Sequence, residues 1–326
     1  MLFINNTHTN PYFNLASEEY ILKNFDDNCF MLWRDESCIV VGKNQNTLSE
    51  INYDYVKENN IPVVRRLSGG GAVFHDLGNI NFTFISNSDS ESFLNFRKFT
   101  QPIIDVLQKL GVHAEFTGRN DLTIDDKKFS GNAQYNYKNR ILHHGTLLFS
   151  SNMKDLSAAL KVKESKFEGK SVKSVESRVT NISQHLSNPI SLMEFKEMIM
   201  SHVMEIYTGE KIYTFSQTDE EIINLLVKEK YNTWEWNFGN SPKYSFSKEK
   251  RFPAGSIEFN LNVEKGIIKT IRLYGDFFGK CDVSDIENSL IGVEHNEKSI
   301  VAALSKFDLT NYFSNISMED IIEGLI

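Results

Sequence analysis

The stretch from Ile61 to Ile85 limits the fold more than any other part of the chain. Ile61 to Arg66 is a β-branched run bounded by Asn60 before it and Gly69-Gly70-Gly71 after it, the pattern of a buried strand. Three glycines can take backbone angles closed to other residues and let a ligand approach the main chain. Ala72 to Asp76 resumes as a short strand, and Leu77-Gly78-Asn79 is a turn. Ile80 to Ile85 then alternates Ile80, Phe82 and Phe84 with Asn81 and Thr83, as a half-buried strand does. Arg65, Arg66 and Ser68 therefore stand at the lip of a glycine loop clamped between strands, a candidate anion cradle. Three glycines alone would favour a flexible surface loop. Two familiar phosphate loops are excluded, because no Gly-Lys-Ser/Thr follows and Phe74 breaks G-x-G-x-x-G. The paired arginines before the loop and Val73-Phe74-His75-Asp76 after it favour a binding site.

At 326 residues the chain is long for one compact core, so two domains are expected. A net charge of -8, from 35 basic and 43 acidic residues, argues against nucleic acid as the main partner. It leaves room for a local anion site at Arg65-Arg66. Cys29, Cys38 and Cys281 are an odd number and form no C-x-x-C pair, which fits a reduced, cytoplasmic protein. No apolar run approaches the roughly 20 residues of a membrane span. Met1 to Asn6 lacks the basic start of a signal peptide.

Along the chain, Asn10-Pro11 opens a helix to about Asn24 with Phe13, Ala16, Tyr20 and Ile21 at helical spacing. Phe30 to Arg34 and Cys38 to Val41 read as strands paired across an Asp35-Glu36 turn, and Gly42 to Asn46 as a polar loop in which Asn44 and Gln45 either line a ligand or serve the turn. Leu48 to Asn59 is helical. Ser92 to Leu110 is the strongest helix, stopped by Gly111, and its phenylalanines are helix core rather than an acyl pocket. Val112 to Phe116 is a strand, Leu122 to Ile124 pairs with Lys127 to Ser130 across Asp125-Asp126, and Ile141 to Phe149 completes the sheet. Between Lys161 and Arg178 the periodicity fails and lysines recur, as in a solvated loop. Ser191 to Tyr207 and Thr218 to Lys230 are amphipathic helices, the second with a Thr218-x-x-Glu221 capping box. The domain junction falls in Trp234 to Pro242. Beyond it, a hairpin turns at Glu264-Lys265-Gly266, and Ser284 to Leu290, Lys298 to Phe307 and Met318 to Leu325 are short helices.

Arg65-Arg66-x-Ser68-Gly69-Gly70-Gly71-Ala72-Val73-Phe74-His75-Asp76-x-Gly78-Asn79 resembles the signature of lipoate–protein ligases. Further matches follow in the family's order: Gly118-Arg119-Asn120-Asp121, Lys128-x-Ser130-Gly131-x-Ala133, His143-His144-Gly145-Thr146-Leu147-Leu148, Arg178-Val179-Thr180-Asn181 and Trp234-Glu235-Trp236-Asn237-x-Gly239. Each alone could arise by chance; their ordered set is specific. The resemblance implies an α+β protein: a mixed-sheet catalytic domain of the biotin/lipoate-ligase type over residues 1–240, and a small α+β accessory domain over 241–326. It implies a cytoplasmic monomer that activates lipoate or octanoate with ATP and magnesium to an acyl-adenylate. The acyl group then passes to a lysine of lipoyl domains of 2-oxoacid dehydrogenases or of the glycine-cleavage H protein. The 161–178 segment would be a lid over the intermediate.

Such a reaction brings two anions together and needs cations and backbone N–H groups rather than a protein nucleophile. Lys128 is the candidate for the lysine between carboxylate and α-phosphate, since the Ser-Gly-x-Ala spacing of the resemblance selects it over Lys127. Arg66 is the candidate phosphate clamp, because its planar fork can hold two oxygens; the main chain of Gly71, Ala72 and Val73 assists, and Arg65 faces the other side. The resemblance adds Ser68, Gly69, Gly70, Phe74, Asn79, Asn120, Asp121, Ala133, Gly145 and Thr146 to the site. Asn120-Asp121 is equally well a turn, and Phe74 flanks either the acyl chain or the base. Neighbouring strand residues His143 and His144 point to opposite faces, so they cannot share an ion, and no metal site is assigned to the protein. The alternative is an ATP-independent octanoyl or lipoyl transferase of the same fold, which works through a cysteine thioester. No cysteine lies between Arg65 and Leu148.

Overall fold

The computed structural model describes residues 1–87, 94–160, 178–208, 211–238, 246–264 and 266–326. Its strands are β1 Leu2–Asn5, β2 Cys29–Trp33, β3 Cys38–Val41, β4 Val63–Arg65, β5 Val73–His75, β6 Asn79–Asn87 and β7 Glu115–Thr117, followed by β8 Asp121–Ile124, β9 Lys127–Tyr137, β10 Arg140–Leu148, β11 Ile212–Thr214, β12 Phe246–Phe252, β13 Gly255–Glu264 and β14 Ile267–Gly275. An eight-stranded mixed sheet runs β11-β1-β2-β6-β10-β9-β8-β7, and two three-stranded sheets run β4-β3-β5 and β12-β13-β14. With helices packed against these sheets, the fold is α+β.

The three strands expected around the glycine loop are present, but they belong to two sheets. β4 and β5 both pair with β3, so the loop joins the outer strands of the small sheet. β6 lies in the large sheet between β2 and β10. The expected β2–β3 hairpin does not form: β2 pairs with β1 and β6, and β3 with β4 and β5. Both strands are buried along their whole length. A run without alternation can serve as an interior strand of either sheet, so it carries no register signal.

The helix Pro11–Asn24 starts as expected, with Pro11 in its first turn and the Asn10 side chain accepting from Tyr12 and Phe13 N–H groups. It is not one-sided, however, because Phe13 to Leu22 are all buried, Glu18 and Glu19 among them. The helix Phe96–Lys109 begins later than Ser92: Leu94 has φ 65, and Asn95 is the cap. Gly111, at φ 77, ends it. The Asp125-Asp126 turn forms with both residues in the left-handed region, at φ 49 and 61. The helix Gln217–Leu226 takes its capping box from Ser216 and Asp219, not from Thr218 and Glu221. The 161–177 segment, proposed above as a lid, lies outside the described residues.

Residues 252–325 build a core of their own side chains, including Phe252, Ile257, Phe259, Leu273, Phe277, Leu304 and Leu325. This part seats against the glycine loop. Gly275 N–H donates to the Asn44 carbonyl at 2.5 Å, and Lys43 pairs with Asp282 at 2.6 Å. A Cβ on Gly69 would lie 2.4 Å from the Phe277 carbonyl oxygen, so only glycine permits this approach. β12 escaped the sequence reading because Ser247 to Arg251 is polar throughout, which suits an edge strand.

Candidate active site

A cleft opens between the glycine loop and the inner face of β9, β10 and β6. Of the expected site residues, Arg66, Gly70, Gly71, Ala72, Val73, Asn120, Lys128, Ala133, Gly145 and Thr146 line it. Ser68, Gly69, Phe74, Asn79 and Asp121 do not. Ser68 is buried beneath the loop at 1% exposure. Phe74 turns into the core with Ile39, Val41 and Val63, because its neighbours on the strand, Val73 and His75, take the cleft side. Asn79 stands behind Asn81, donating to its side-chain oxygen at 2.9 Å.

Lys128 is set by its backbone. Its N–H donates to the Arg178 carbonyl and its carbonyl accepts from Thr180 N–H, each at 2.9 Å. The β8–β9 register slips between Leu122 and Thr123, leaving Phe129 as an extra residue in β9 beside Lys128. A bulge of this kind re-aims the adjoining side chain. Gly131 leaves room for the lysine head, since a Cβ there would lie 2.8 Å from Nζ and 3.0 Å from Cε. That contact gives the Lys-x-Ser-Gly spacing a physical reason. Nζ meets Asp121 Oδ1 at 2.8 Å, with both side chains more than a third exposed. Asn120 is locked to β9, its Nδ2 donating to the Asn132 carbonyl at 2.5 Å.

The two arginines do something other than wait for phosphate. Arg66 donates from Nη2 to the carbonyls of Gly69 and Gly71 at 2.7 and 2.8 Å, from Nη1 to Val40 at 3.2 Å and from Nε to Ser68 Oγ at 3.1 Å. It therefore folds the glycine loop around itself, helped by Gly70 at φ 93. Burial lowers its pKa to about 10, opposed by the Glu18 carboxylate. Arg65, on the opposite side of the strand, reaches the carbonyls of Gly42, Lys43 and Gln45 from Nη1, and Thr47 Oγ1 and the Asn237 carbonyl from Nη2. Trp236 and Asn237 complete this seam: Trp236 Nε1 donates to the Arg65 carbonyl at 2.8 Å, and Asn237 Oδ1 accepts from Arg65 N–H at 2.9 Å. The Trp-x-Trp-Asn motif is thus a clasp for Arg65 at 2% exposure.

Several cleft residues were missed by the sequence reading. Leu15, Trp33, Val40, His75, Asn81, Asn132 and His144 all line it. A hydrogen-bonded chain passes behind it: Arg66 Nε to Ser68 Oγ, Ser68 Oγ to His144 Nε2 at 2.6 Å, and His144 Nδ1 to Glu18 at 3.0 Å. Glu18 also accepts from Thr83, which accepts from Trp33 Nε1. Because Glu18 can only accept, His144 carries its proton on Nδ1. Ser68, His144 and Glu18 have the order of a nucleophilic triad, but Ser68 is held below the cleft wall and serves the loop. A pair of acids inside an apolar helix was the available signal for Glu18. His143 points to the other face, stacked on Phe99 with centroids 4.8 Å apart. Burial, then the neighbouring His144, holds its pKa well below the usual range.

The cleft crosses the strands. Gly131 N–H donates to Thr146 Oγ1 at 3.1 Å, Thr146 sits opposite Asn81, and Asn81 opposite Trp33. From β9 to β2 is three inter-strand steps, roughly 14 Å at about 4.8 Å each. One end holds Lys128 and Asn120, the other Trp33, Val40 and His75. The cleft is thus a slot that runs across the strands, with Lys128 at one end and mostly apolar residues at the other.

A lysine head, a glycine-loop main chain and an apolar slot line one cleft, the arrangement of a small-molecule site in an enzyme. The Lipoyl protein ligase A/B catalytic domain family matches residues 10–204, and the Bacterial lipoate protein ligase C-terminus family matches residues 241–325. The chain is 47% identical to Lipoate-protein ligase LplJ of Bacillus subtilis (strain 168) over 328 residues, covering 99% of each chain. The structure of P. falciparum LipL1 in complex with lipoate superposes with a TM-score of 0.81 at 26% identity, over 99% of this chain and 98% of that one. Lipoate-protein ligase A bound with ATP gives 0.64 at 28% identity, over 73% and 98%. The chain belongs to the lipoate–protein ligase family, and it is a ligase.

Proposed function

We propose that this protein activates lipoate with ATP to lipoyl-adenylate and then transfers the lipoyl group to a lysine of lipoyl domains and of the glycine-cleavage H protein. The observation that carries this reading is the shared cleft: Lys128 and the Gly70-Gly71 main chain bound one space. Lys128 leaves Asp121 to sit between the acid carboxylate and the α-phosphate, offsetting the repulsion of the two anions as the new oxygen–phosphorus bond forms. Arg66 acts first through the loop it shapes, presenting the N–H groups of Gly71, Ala72 and Val73, and second through its positive field. Magnesium enters with the ATP phosphates as part of the substrate. Residues 1–240 carry the chemistry and 241–326 cover it. The protein works as a cytoplasmic monomer; among the described residues no helix is long and apolar enough to cross a membrane.

The cysteine-thioester alternative finds little support. Cys38 and Cys29 are buried, and none of the three cysteines lines the cleft. Burial, followed by the nearby Asp35, pushes the Cys38 thiol well above its ordinary pKa, so it is a poor nucleophile. Incubation with ATP, lipoate and a lipoyl domain is expected to yield pyrophosphate and a lipoylated lysine detectable by mass. Acylation that proceeds without ATP would overturn the reading.

A further inference from the structure

The two walls of the cleft come from different sheets. Arg66 and the glycine loop follow β4 of the small sheet, and His144 stands on β10 of the large one. The chain from Arg66 through Ser68 and His144 to Glu18 joins them beneath the cleft, and every member of it is buried. Its polarity is fixed from the helix end. Glu18 accepts from His144 Nδ1 at 3.0 Å and from Thr83 Oγ1 at 2.6 Å, and those two residues stand opposite each other on β10 and β6. With its proton on Nδ1, His144 has Nε2 left to accept, so the Ser68 hydroxyl donates to it. Ser68 Oγ then turns its lone pairs to Arg66 Nε. In the other tautomer the Glu18 carboxylate would face a lone pair, and Ser68 Oγ would face two donors.

The loop end of this chain shows what it is for. Among the described residues, Ser68 is the one side chain that accepts from Arg66; Val40, Gly69 and Gly71 offer main-chain carbonyls. Gly69 and Gly71 belong to the loop that Arg66 holds, so they move with it. Val40, on β3, fixes one corner of the guanidinium from within the small sheet. Ser68 alone refers it to the large sheet, and through His144 and Glu18 to the helix Pro11–Asn24. Because Ser68 does not line the cleft, it positions other groups.

We propose that Glu18 and His144 are positioning residues for adenylate formation: acting through Ser68 and Arg66, they fix where the N–H groups of Gly71, Ala72 and Val73 meet the ATP phosphates. The inference rests on the acid-activating reading above and deepens it. Backbone donors held in place stabilise developing negative charge without reorganising during the reaction. A misplacement of about 1 Å in such a set can cost about 10²-fold in rate. The order of serine, histidine and carboxylate therefore orients donors here, and no proton has to leave Ser68.

The test measures pyrophosphate release, with KM determined separately for ATP and for lipoate, in Glu18→Leu, His144→Leu, His144→Gln and Ser68→Ala. Glu18→Leu, His144→Leu and Ser68→Ala are each expected to raise the KM for ATP about tenfold, equivalent to about 1.4 kcal/mol. Combining His144→Leu with Ser68→Ala is expected to do no more than the worse of the two, since both cut one chain; fully additive effects overturn the proposal. His144→Gln is expected to stay close to wild type, because an amide supplies one donor and one acceptor as the neutral imidazole does. A merely structural role lowers kcat through loss of folded protein and leaves the KM for ATP unchanged, and that result also overturns the proposal. So does a rise confined to the KM for lipoate, the sign of direct contact with the acid. Should the leucine variants not fold, Ser68→Ala, which removes a single oxygen, decides alone. If the wild type released no pyrophosphate from ATP and lipoate, the activation reading would fall instead. The crystal structure of Ser68→Ala would still judge the chain: the Gly69 and Gly71 carbonyls are expected to shift off Arg66, and an unmoved loop sinks the idea.

Discussion

Two cation-bearing regions face each other across the cleft, and they hold their charges in opposite ways. On the small sheet, Arg65 and Arg66 are 2% and 6% exposed, and their guanidinium groups grip carbonyl oxygens. On the β8–β9 hairpin, Lys128 keeps 38% of its side chain accessible and meets a carboxylate that is itself 37% accessible. Burial lowers both arginines to about 10, still protonated at neutral pH, so their charge persists while their donors serve the fold. Positive charge on one wall makes a shape. On the other it stays accessible, as the proposed chemistry requires.

The sharpest way to break this contrast is Lys128→Ala. An ammonium–phosphate contact at ~4 Å is worth about 4 kcal/mol at an effective dielectric near 20, so adenylate formation should fall by roughly three powers of ten with little change in melting temperature. Wild-type rates in the purified variant would remove Lys128 from the mechanism. Arg65→Met should do the reverse. Several buried carbonyls lose their donor at about 1–3 kcal/mol each, so urea denaturation should show a loss above about 3 kcal/mol; an unaltered midpoint would mean the clasp is decorative.

Glu19 extends the clasp, since it accepts from Lys23, Lys230 and Tyr231, and Asn237 Nδ2 donates to the Tyr231 carbonyl. Burial alone would raise its pKa, but those hydrogen bonds together outweigh it and bring the carboxyl below its ordinary value. Its stabilisation is therefore present above the unfolded carboxyl pKa and is lost as pH falls through the folded one. Glu19→Gln should cost about 2 kcal/mol at neutral pH, with the gap to wild type closing below about pH 4; a gap that stays constant would contradict the linkage. The smallest effect belongs to Gly131→Ala. Its Cβ would displace the lysine head rather than the backbone, so stability should hold while adenylate formation drops roughly tenfold. Comparing crystal structures of the two forms would locate Nζ directly.

Much of this architecture was legible in the residues. Alternation marked β6 as a strand, though both its faces are buried rather than one, Asp125-Asp126 marked the hairpin turn, and the motif resemblance pointed to Lys128, which does line the cleft. What stayed hidden involved residues whose surroundings are assembled from distant segments. Glu18 and Trp33 look like ordinary members of an apolar helix and an apolar strand; the stacking of that helix on β10 and β6 brings Glu18 to His144 and Thr83, and the pairing of β2 with β6 brings Trp33 to Thr83. Phe74 was misjudged because its motif neighbours face the cleft and it does not. The β2–β3 pairing failed for want of alternation, and Arg66 looked like a ligand clamp because its carbonyl partners come from main chain, which carries no residue-specific letter.

Because the slot lies at right angles to the strands, its reach is counted in ladder rungs. A point substitution at Trp33 or Val40 can shave or fill part of a rung, yet adding a whole one would require another strand in the sheet. Under the proposed function, selectivity for acid length would be graduated by the backbone's own repeat, and divergence among related sequences should alter the stop at the end of the scale far more readily than the scale itself.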